Sequence, residues 1–412
     1  MILLQGCRYL VTQDDKRTIL EGVDVLIEGS RIAKIGKDLP KMLPGGLPKE
    51  TTVVDCSRKV VLPGLINCHT HLDIQLFRGV SDDKELHDWL DGIVPRKNGL
   101  DGGQLAEAAA LGCREALRSG TTALADMHYT VTGTAATVEA SGIRAWLFVS
   151  YNDRISQSDD VGASPIFSKY EGHPRITASV APHSIYGCSE RLLRNVHAYA
   201  QQHKIIQTIH LAETRKEQYK CKQQHGLLPA QYLDSIGFLD DRTLLAHCVW
   251  LTKDELRTIA QRGCSVVHCP TSNMKLASGG VMPLKEMRAA GINVALGTDS
   301  VVSNNSLDLF SEMKVAALLH KHHYWDPTMA DAQSVLDMAT RNGAKALGRE
   351  EEFGSVEEGK RADAITLAIT DHLTPIDKER VVSHLVYSAN GNDVRDVIVD
   401  GELILEDGMF VE

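Results

Sequence analysis

Two histidines separated by one threonine, His69 and His71 in "GLINCHTHLDIQ", follow the apolar pair Leu65 and Ile66. In an extended chain, side chains two residues apart project to the same side, so both imidazoles can reach one point. Four more polar residues end apolar runs: His183 after "RITASVAP", His210 in "KIIQTIHL", His247 in "RTLLAHC" and Asp299 in "INVALGTD". Any one of these histidines alone reads best as a core residue with its hydrogen bonds satisfied. Independent core histidines have no reason to recur at the same end of successive runs, so the joint pattern points to a metal site.

His69, His71, His210 and Asp299 form a coherent ligand set, since three imidazoles and a carboxylate suit Zn²⁺ and are compatible with Fe²⁺. One divalent metal of this kind would bring the pKa of water toward neutrality. Asp299 could then accept the proton of the attacking water, and His247 could orient that water or the developing oxyanion. Glu213, in "HLAETRKE", has the chemistry of a proton shuttle to a ring nitrogen or leaving group. Glu217, four residues on, reads as a carboxylate stabilised at a helix N-terminus.

Positioning six groups on one rim requires a repeating scaffold. Eight strand-like runs alternate with helical stretches: "VVLPGLIN", "TTALADM", "IRAWLFVS", "RITASVAP", "KIIQTIHL", "RTLLAHC", "CSVVHCP" and "INVALGTD". Eight such units predict an α/β fold, a (β/α)₈ barrel with its active site at the C-terminal strand ends. "LAEAAALGCREALRSG" and "LDLFSEMKVAALLHK" read as two of its helices. Short alternating segments occupy both ends of the chain, with Asp400-Gly401 placed as a two-residue hairpin turn in "VRDVIVDGELILEDG". These predict a small β-sandwich built from both termini, dividing the chain into 1–60, 61–350 and 351–412.

The chain has 412 residues, 43% hydrophobic and 24% charged, with a net charge of −10 and no basic stripe. That balance argues against nucleic acid or an anionic membrane as partner and for a small molecule, bound by what we expect to be a homo-oligomer. No run approaches the ~20 apolar residues of a membrane helix, and the first residues lack a signal-peptide pattern, so a cytoplasmic location is expected. Nine cysteines without a CxxC pair read as reduced, buried small side chains.

In order along the chain, "PGLINCHTHL", "HLAET", "LLAHCVWL", "HCPTSNMKL", "LGTDSVVSNNSLDLF" and "GSVEEGKRADAITL" resemble the amidohydrolase superfamily over nearly the whole length. The nearest likeness is to the S-adenosylhomocysteine, methylthioadenosine and 5′-deoxyadenosine deaminases, relatives of the triazine hydrolases. The resemblance implies a barrel holding one metal and hydrolytic loss of ammonia from an aromatic ring, here an adenine nucleoside or thionucleoside, adenosine included. It matches His69, His71, His210 and Asp299 to the ligands, Glu213 to the shuttle and His247 to the water-orienting group. It also implies substrate contacts from Trp89, His183 and Ser303. Binuclear relatives carry a bridging lysine after strand four, where this chain has "APHS". Adenosine-type members place a ribose-gripping glutamate just past a proline. This chain reads "WLDGIVPRKNGL", so Lys97 or Asn98 stands there and Lys97 becomes a candidate substrate contact. Arg144 and Arg154 are further candidates for meeting an acidic substrate group. Competing expectations are the same machinery acting on a triazine, pterin or oxidised purine, and a barrel scaffold without activity. The intact ligand set disfavours the scaffold.

Overall fold

The computed structural model describes residues 1–42, 46–153 and 160–411. Within it, all eight apolar runs contribute a strand to one parallel sheet. The strands are β1 (Leu65–Thr70), β2 (Thr121–His128), β3 (Arg144–Tyr151), β4 (Ile176–Pro182), β5 (Gln207–Leu211), β6 (Thr243–His247), β7 (Ser265–His268) and β8 (Asn293–Leu296). They lie side by side in chain order. The ring closes where Thr70 bridges Asp299 in parallel and the Asp299 amide donates to the His69 carbonyl over 2.9 Å. Every residue of β1, β2 and β3 is buried, as parallel strands covered on both faces require.

The surrounding helices start where capping side chains stand. Helix α1 (Leu86–Lys97) begins at Glu85, and α2 (Gly102–Arg118) begins at a capping box of Asp101 and Gln104. Ser189, Thr214 and Asp308 cap α3 (Glu190–His203), α4 (Arg215–His225) and α5 (Leu309–Tyr324). Both helices expected from the sequence are present as α2 and α5.

Segments from both chain ends build two further sheets. One orders Arg31–Gly36, Val23–Glu28, Ile2–Cys7 and Thr52–Asp55; the other runs Met409–Phe410, Glu402–Glu406, Val394–Val399, Ala364–Ala368, Lys59–Pro63, Tyr9–Val11 and Ile19–Leu20. Ile2, Leu4, Val25, Ile27, Val61 and Ile398 share the apolar core of this sandwich. Asp400 and Gly401, at φ 53° and 79°, form the expected hairpin turn.

Two readings change. The run "VVLPGLIN" is not one strand: Lys59–Pro63 pairs with Ala364–Ala368 in the terminal sheet, and the barrel starts at Leu65. The switch occurs at Gly64, where a Cβ would fall 1.9 Å from the Thr122 hydroxyl, so only glycine lets the chain cross. Arg144 opens β3 at the N-terminal end of the barrel, away from the rim. Its guanidinium is committed to Asp363 at 2.7 Å and Asp400 at 3.0 Å, which ties the barrel to the sandwich. Arg154 lies outside the described residues. All nine cysteines are buried and free.

Candidate active site

His69 near the end of β1, His71 just beyond it and His210 on β5 bring one ligand atom each within 4.8 Å of the others; His69, His247 and Asp299 do the same. Asp299 Oδ1 lies 3.3 Å from His71 Nε2 and 3.7 Å from His69 Nε2. In three of these four rings the second nitrogen is already engaged. His71 Nδ1 meets the Met127 carbonyl, His210 Nδ1 the His183 carbonyl at 2.7 Å, and His247 Nδ1 the Asn273 side-chain oxygen at 2.9 Å. Such bonds fix ring orientation and leave Nε2 for the centre. His69 Nε2 is buried with no hydrogen-bond partner among the described residues, an orphan that a bound cation would satisfy. The donor set therefore fits a divalent metal.

Asp299 is held by three donors: Ser272 Oγ at 2.6 Å and Ser303 Oγ at 3.1 Å reach Oδ2, and the Ser300 amide reaches Oδ1 at 2.8 Å. Ser303 is thus a correction to the expected substrate contact. It is fully buried behind the carboxylate and does not line the cavity.

The rim is built from strained backbone. Ala212, His247 and Asp299 sit at φ 50°, 73° and 61°, a region non-glycine residues rarely occupy and which concentrates at functional sites. Glu217 holds one of these turns. Its carboxylate accepts from the Ala212 amide at 2.9 Å and the Glu213 amide at 3.1 Å, so it positions the shuttle rather than decorating a helix end. Glu217→Ala strands two buried amides at about 1–3 kcal/mol each. A urea denaturation midpoint equal to wild type would contradict that role. At Gly297 a Cβ would fall 2.8 Å from His69 Cβ and 2.9 Å from its backbone nitrogen. Gly297→Ala is therefore expected to cost about 1–3 kcal/mol and to reduce metal content, as measured by elemental analysis of the purified variant.

Burial, reinforced by neighbouring imidazoles, holds His69 and His210 well below the ordinary histidine range and brings His183 down to about 3. Burial alone would raise Asp299, but the hydrogen bond and charge of His71 reverse this and hold it well below its usual range. Neutral imidazoles and an ionised carboxylate are the ligating forms. Burial, then the charge of Asp299, pushes Glu213 up to about 8, so its carboxyl is largely protonated near neutrality. Its Oε2 lies 3.9 Å from His247 Nε2.

These groups floor a cavity of about 410 Å³ whose walls include Trp89, Lys97, Tyr129, His183 and Tyr186. Helix α1 forms one wall and carries both Trp89 and Lys97. The Lys97 ammonium lies 2.6 Å from Asp73 Oδ2 and 5.0 Å from the centre of the Tyr129 ring, which stacks on His183 at 6.0 Å. Asp73 also accepts from the Thr130 hydroxyl at 3.2 Å and stands 3.6 Å from His128, whose other nitrogen is 2.8 Å from Asp126. Sequence reasoning missed this second polar cluster. Its available signals were a carboxylate, Asp73, set between the apolar Leu72 and Ile74, and the same-face pair Asp126 and His128 ending a buried strand.

The amidohydrolase family model matches residues 60–404, which span the barrel and most of the second terminal segment. The chain belongs to the amidohydrolase family. It is 41% identical over 411 residues to the 5-methylthioadenosine/S-adenosylhomocysteine deaminase of Nitratidesulfovibrio vulgaris, covering 97% of this chain and 91% of that protein. It is 43% identical over 393 residues to the 5′-deoxyadenosine deaminase of Methanothermobacter thermautotrophicus, covering 93% and 89%. Among solved structures, an adenosine deaminase from Xanthomonas campestris with bound zinc superposes with a TM-score of 0.94 at 32% identity, covering 100% of this chain and 94% of that one. This amidohydrolase is an enzyme, a hydrolytic deaminase, and its His/Asp centre supports a divalent metal.

Proposed function

We propose that this protein removes the amino group of an adenine nucleoside or thionucleoside by hydrolysis, with one divalent metal held by His69, His71, His210 and Asp299. The observation that carries the reading is the placement of Glu213. A buried carboxyl that keeps its proton near neutrality faces the same cavity as His71, His210, Asp299 and His247. That is the arrangement needed to protonate a ring nitrogen while water adds to the neighbouring carbon. The names of the relatives support adenine as the ring. The imidazole-rich donor set favours Zn²⁺, with Fe²⁺ compatible.

A bound divalent cation supplies Lewis acidity, bringing the pKa of water toward neutrality. Asp299 accepts the proton of the attacking water while His247 orients it. Glu213 delivers its proton to the ring nitrogen; Asp299 then returns the water proton to the amino group while Glu213 takes the remaining hydroxyl proton, so the tetrahedral carbon collapses to a carbonyl and ammonia leaves. Trp89 and His183 line the cavity that receives the substrate, and helix α1 forms one of its walls.

Ammonia release measured across adenosine, 5′-deoxyadenosine, methylthioadenosine, S-adenosylhomocysteine and a set of triazines, pterins and oxidised purines tests the reading. Turnover of at least one adenine compound at kcat/KM above about 10⁴ M⁻¹s⁻¹ is expected. Activity confined to the other rings would refute the adenine assignment.

A further inference from the structure

The wall of the cavity formed by helix α1 presents hydrogen-bond donors that the described residues do not fully receive. Lys97 lines the cavity with its side chain 12% exposed, and among the described residues its ammonium meets one acceptor, Asp73 Oδ2 at 2.6 Å. An ammonium has three N–H donors, so two remain for the cavity. On the same helix, Trp89 is 8% exposed and lines the cavity, and its Nε1 is buried without a partner among the described residues. An indole N–H can only donate, and a buried donor left unpaired is costly. Two independent side chains therefore ask for an acceptor group on the ligand.

The cation is held in place from behind. Asp73 is fully buried, receives the Thr130 hydroxyl at 3.2 Å and lies 3.6 Å from His128. The Tyr129 ring supports the ammonium from the side at 5.0 Å. Such a backing makes Lys97 an anchored donor rather than a solvated helix end. An anchored cation and a neutral donor on one helix facing one cavity suit a planar, singly charged acceptor, since a carboxylate offers two oxygens and no hydrogen to donate. A cis-diol would bring its own donors to a wall already full of them.

We infer that Lys97, backed by Asp73 and assisted by Trp89, is a specificity-determining residue that binds a carboxylate on the non-reacting part of the substrate. This deepens the proposed deamination and rests on it: the substrate class becomes an aminated purine nucleoside carrying a carboxylate.

The test compares adenosine with adenosine 5′-carboxylate and S-adenosylhomocysteine, scoring kcat/KM for ammonia release and, separately, binding by titration calorimetry. Wild type is expected to favour a carboxylate substrate over adenosine by thirty-fold or more, chiefly through KM. Lys97→Met is expected to collapse that ratio to within three-fold of unity. Asp73→Asn, which keeps the lysine but removes its anchor, should reduce the ratio partially. A ratio that stays high in Lys97→Met would overturn the inference, as would a wild type that prefers adenosine. If wild type releases ammonia from none of these compounds, the proposed reaction fails. Calorimetry then decides the inference separately: carboxylate binding ten-fold tighter than adenosine and lost in Lys97→Met supports it, whereas equal or absent binding overturns it.

Discussion

Glu213→Gln is expected to lower kcat by about 10²- to 10⁴-fold, the range associated with losing a positioned general acid. Metal content should stay at the wild-type level, because the side chain is near the ligands without belonging to the set proposed above. The pH dependence sharpens the expectation. Glu213 is held up to about 8 by burial and by Asp299, and the protonated form is the one that donates to the ring. Activity that depends on it is therefore present below about pH 8 and is lost as pH rises through that value. The wild-type kcat/KM profile should fall on its alkaline side, and the residual activity of Glu213→Gln should lack that limb. A variant that keeps both rate and limb would remove Glu213 from the mechanism.

Stripping the metal with a chelator is expected to abolish turnover, with recovery on adding Zn²⁺, and His69→Ala is expected to resist recovery. Stability should fall too. A ligand that binds only the folded chain, present at 100 times its dissociation constant, contributes about 2.7 kcal/mol that chelation removes. The stripped protein should also be acid-sensitive, and the sign follows from the histidines. His69 and His210 are held well below the ordinary value, and His183 is at about 3, so the unfolded chain binds more protons than the folded one on the acid side. Stability is fully present above about pH 6.5, the unfolded histidine value. It declines from there as pH drops toward about 3. Thermal melting across that window, with and without chelator, measures the effect. A chelated protein as stable at pH 5 as at pH 8 would contradict it.

The barrel was legible because each strand is a short apolar run between turn residues, and because the polar residues fall at the same end of those runs. What stayed hidden depended on contacts between distant segments. "VVLPGLIN" is apolar throughout, so no periodicity marks the change of sheet at Gly64; Thr122, on the neighbouring strand, imposes it. Arg144 reads as a candidate substrate contact until Asp363 and Asp400, more than two hundred residues later in the chain, are seen to bind it. Ser303 follows Asp299 closely enough to face the same space, yet the positive φ of Asp299 turns the loop so that the hydroxyl supports the carboxylate. Glu217 has the spacing of a helix-start carboxylate, and only burial against the Ala212 and Glu213 amides separates a clamp from a surface charge. The spacing of His69 and His71 carried more information because β1 itself aims both rings, with no distant partner needed to interpret it.

The pairing of Lys59–Pro63 with Ala364–Ala368 has a consequence for synthesis. Leu62 faces Ile365, so about three hundred residues must be added before the earlier strand meets its neighbour. At typical elongation rates that is a wait on the order of 15–60 s, with Val60, Val61 and Leu62 exposed on the nascent chain. The barrel strands can assemble in order as they emerge, whereas the seven-stranded sheet of the sandwich cannot be completed until the segment from Ala364 onward has emerged. A circular permutant that joins the two terminal segments and opens the chain elsewhere on the surface would cut that separation to about 110 residues and the wait to about a third. It should gain soluble yield on ribosomes lacking trigger-type chaperones, and its folded state should be unchanged.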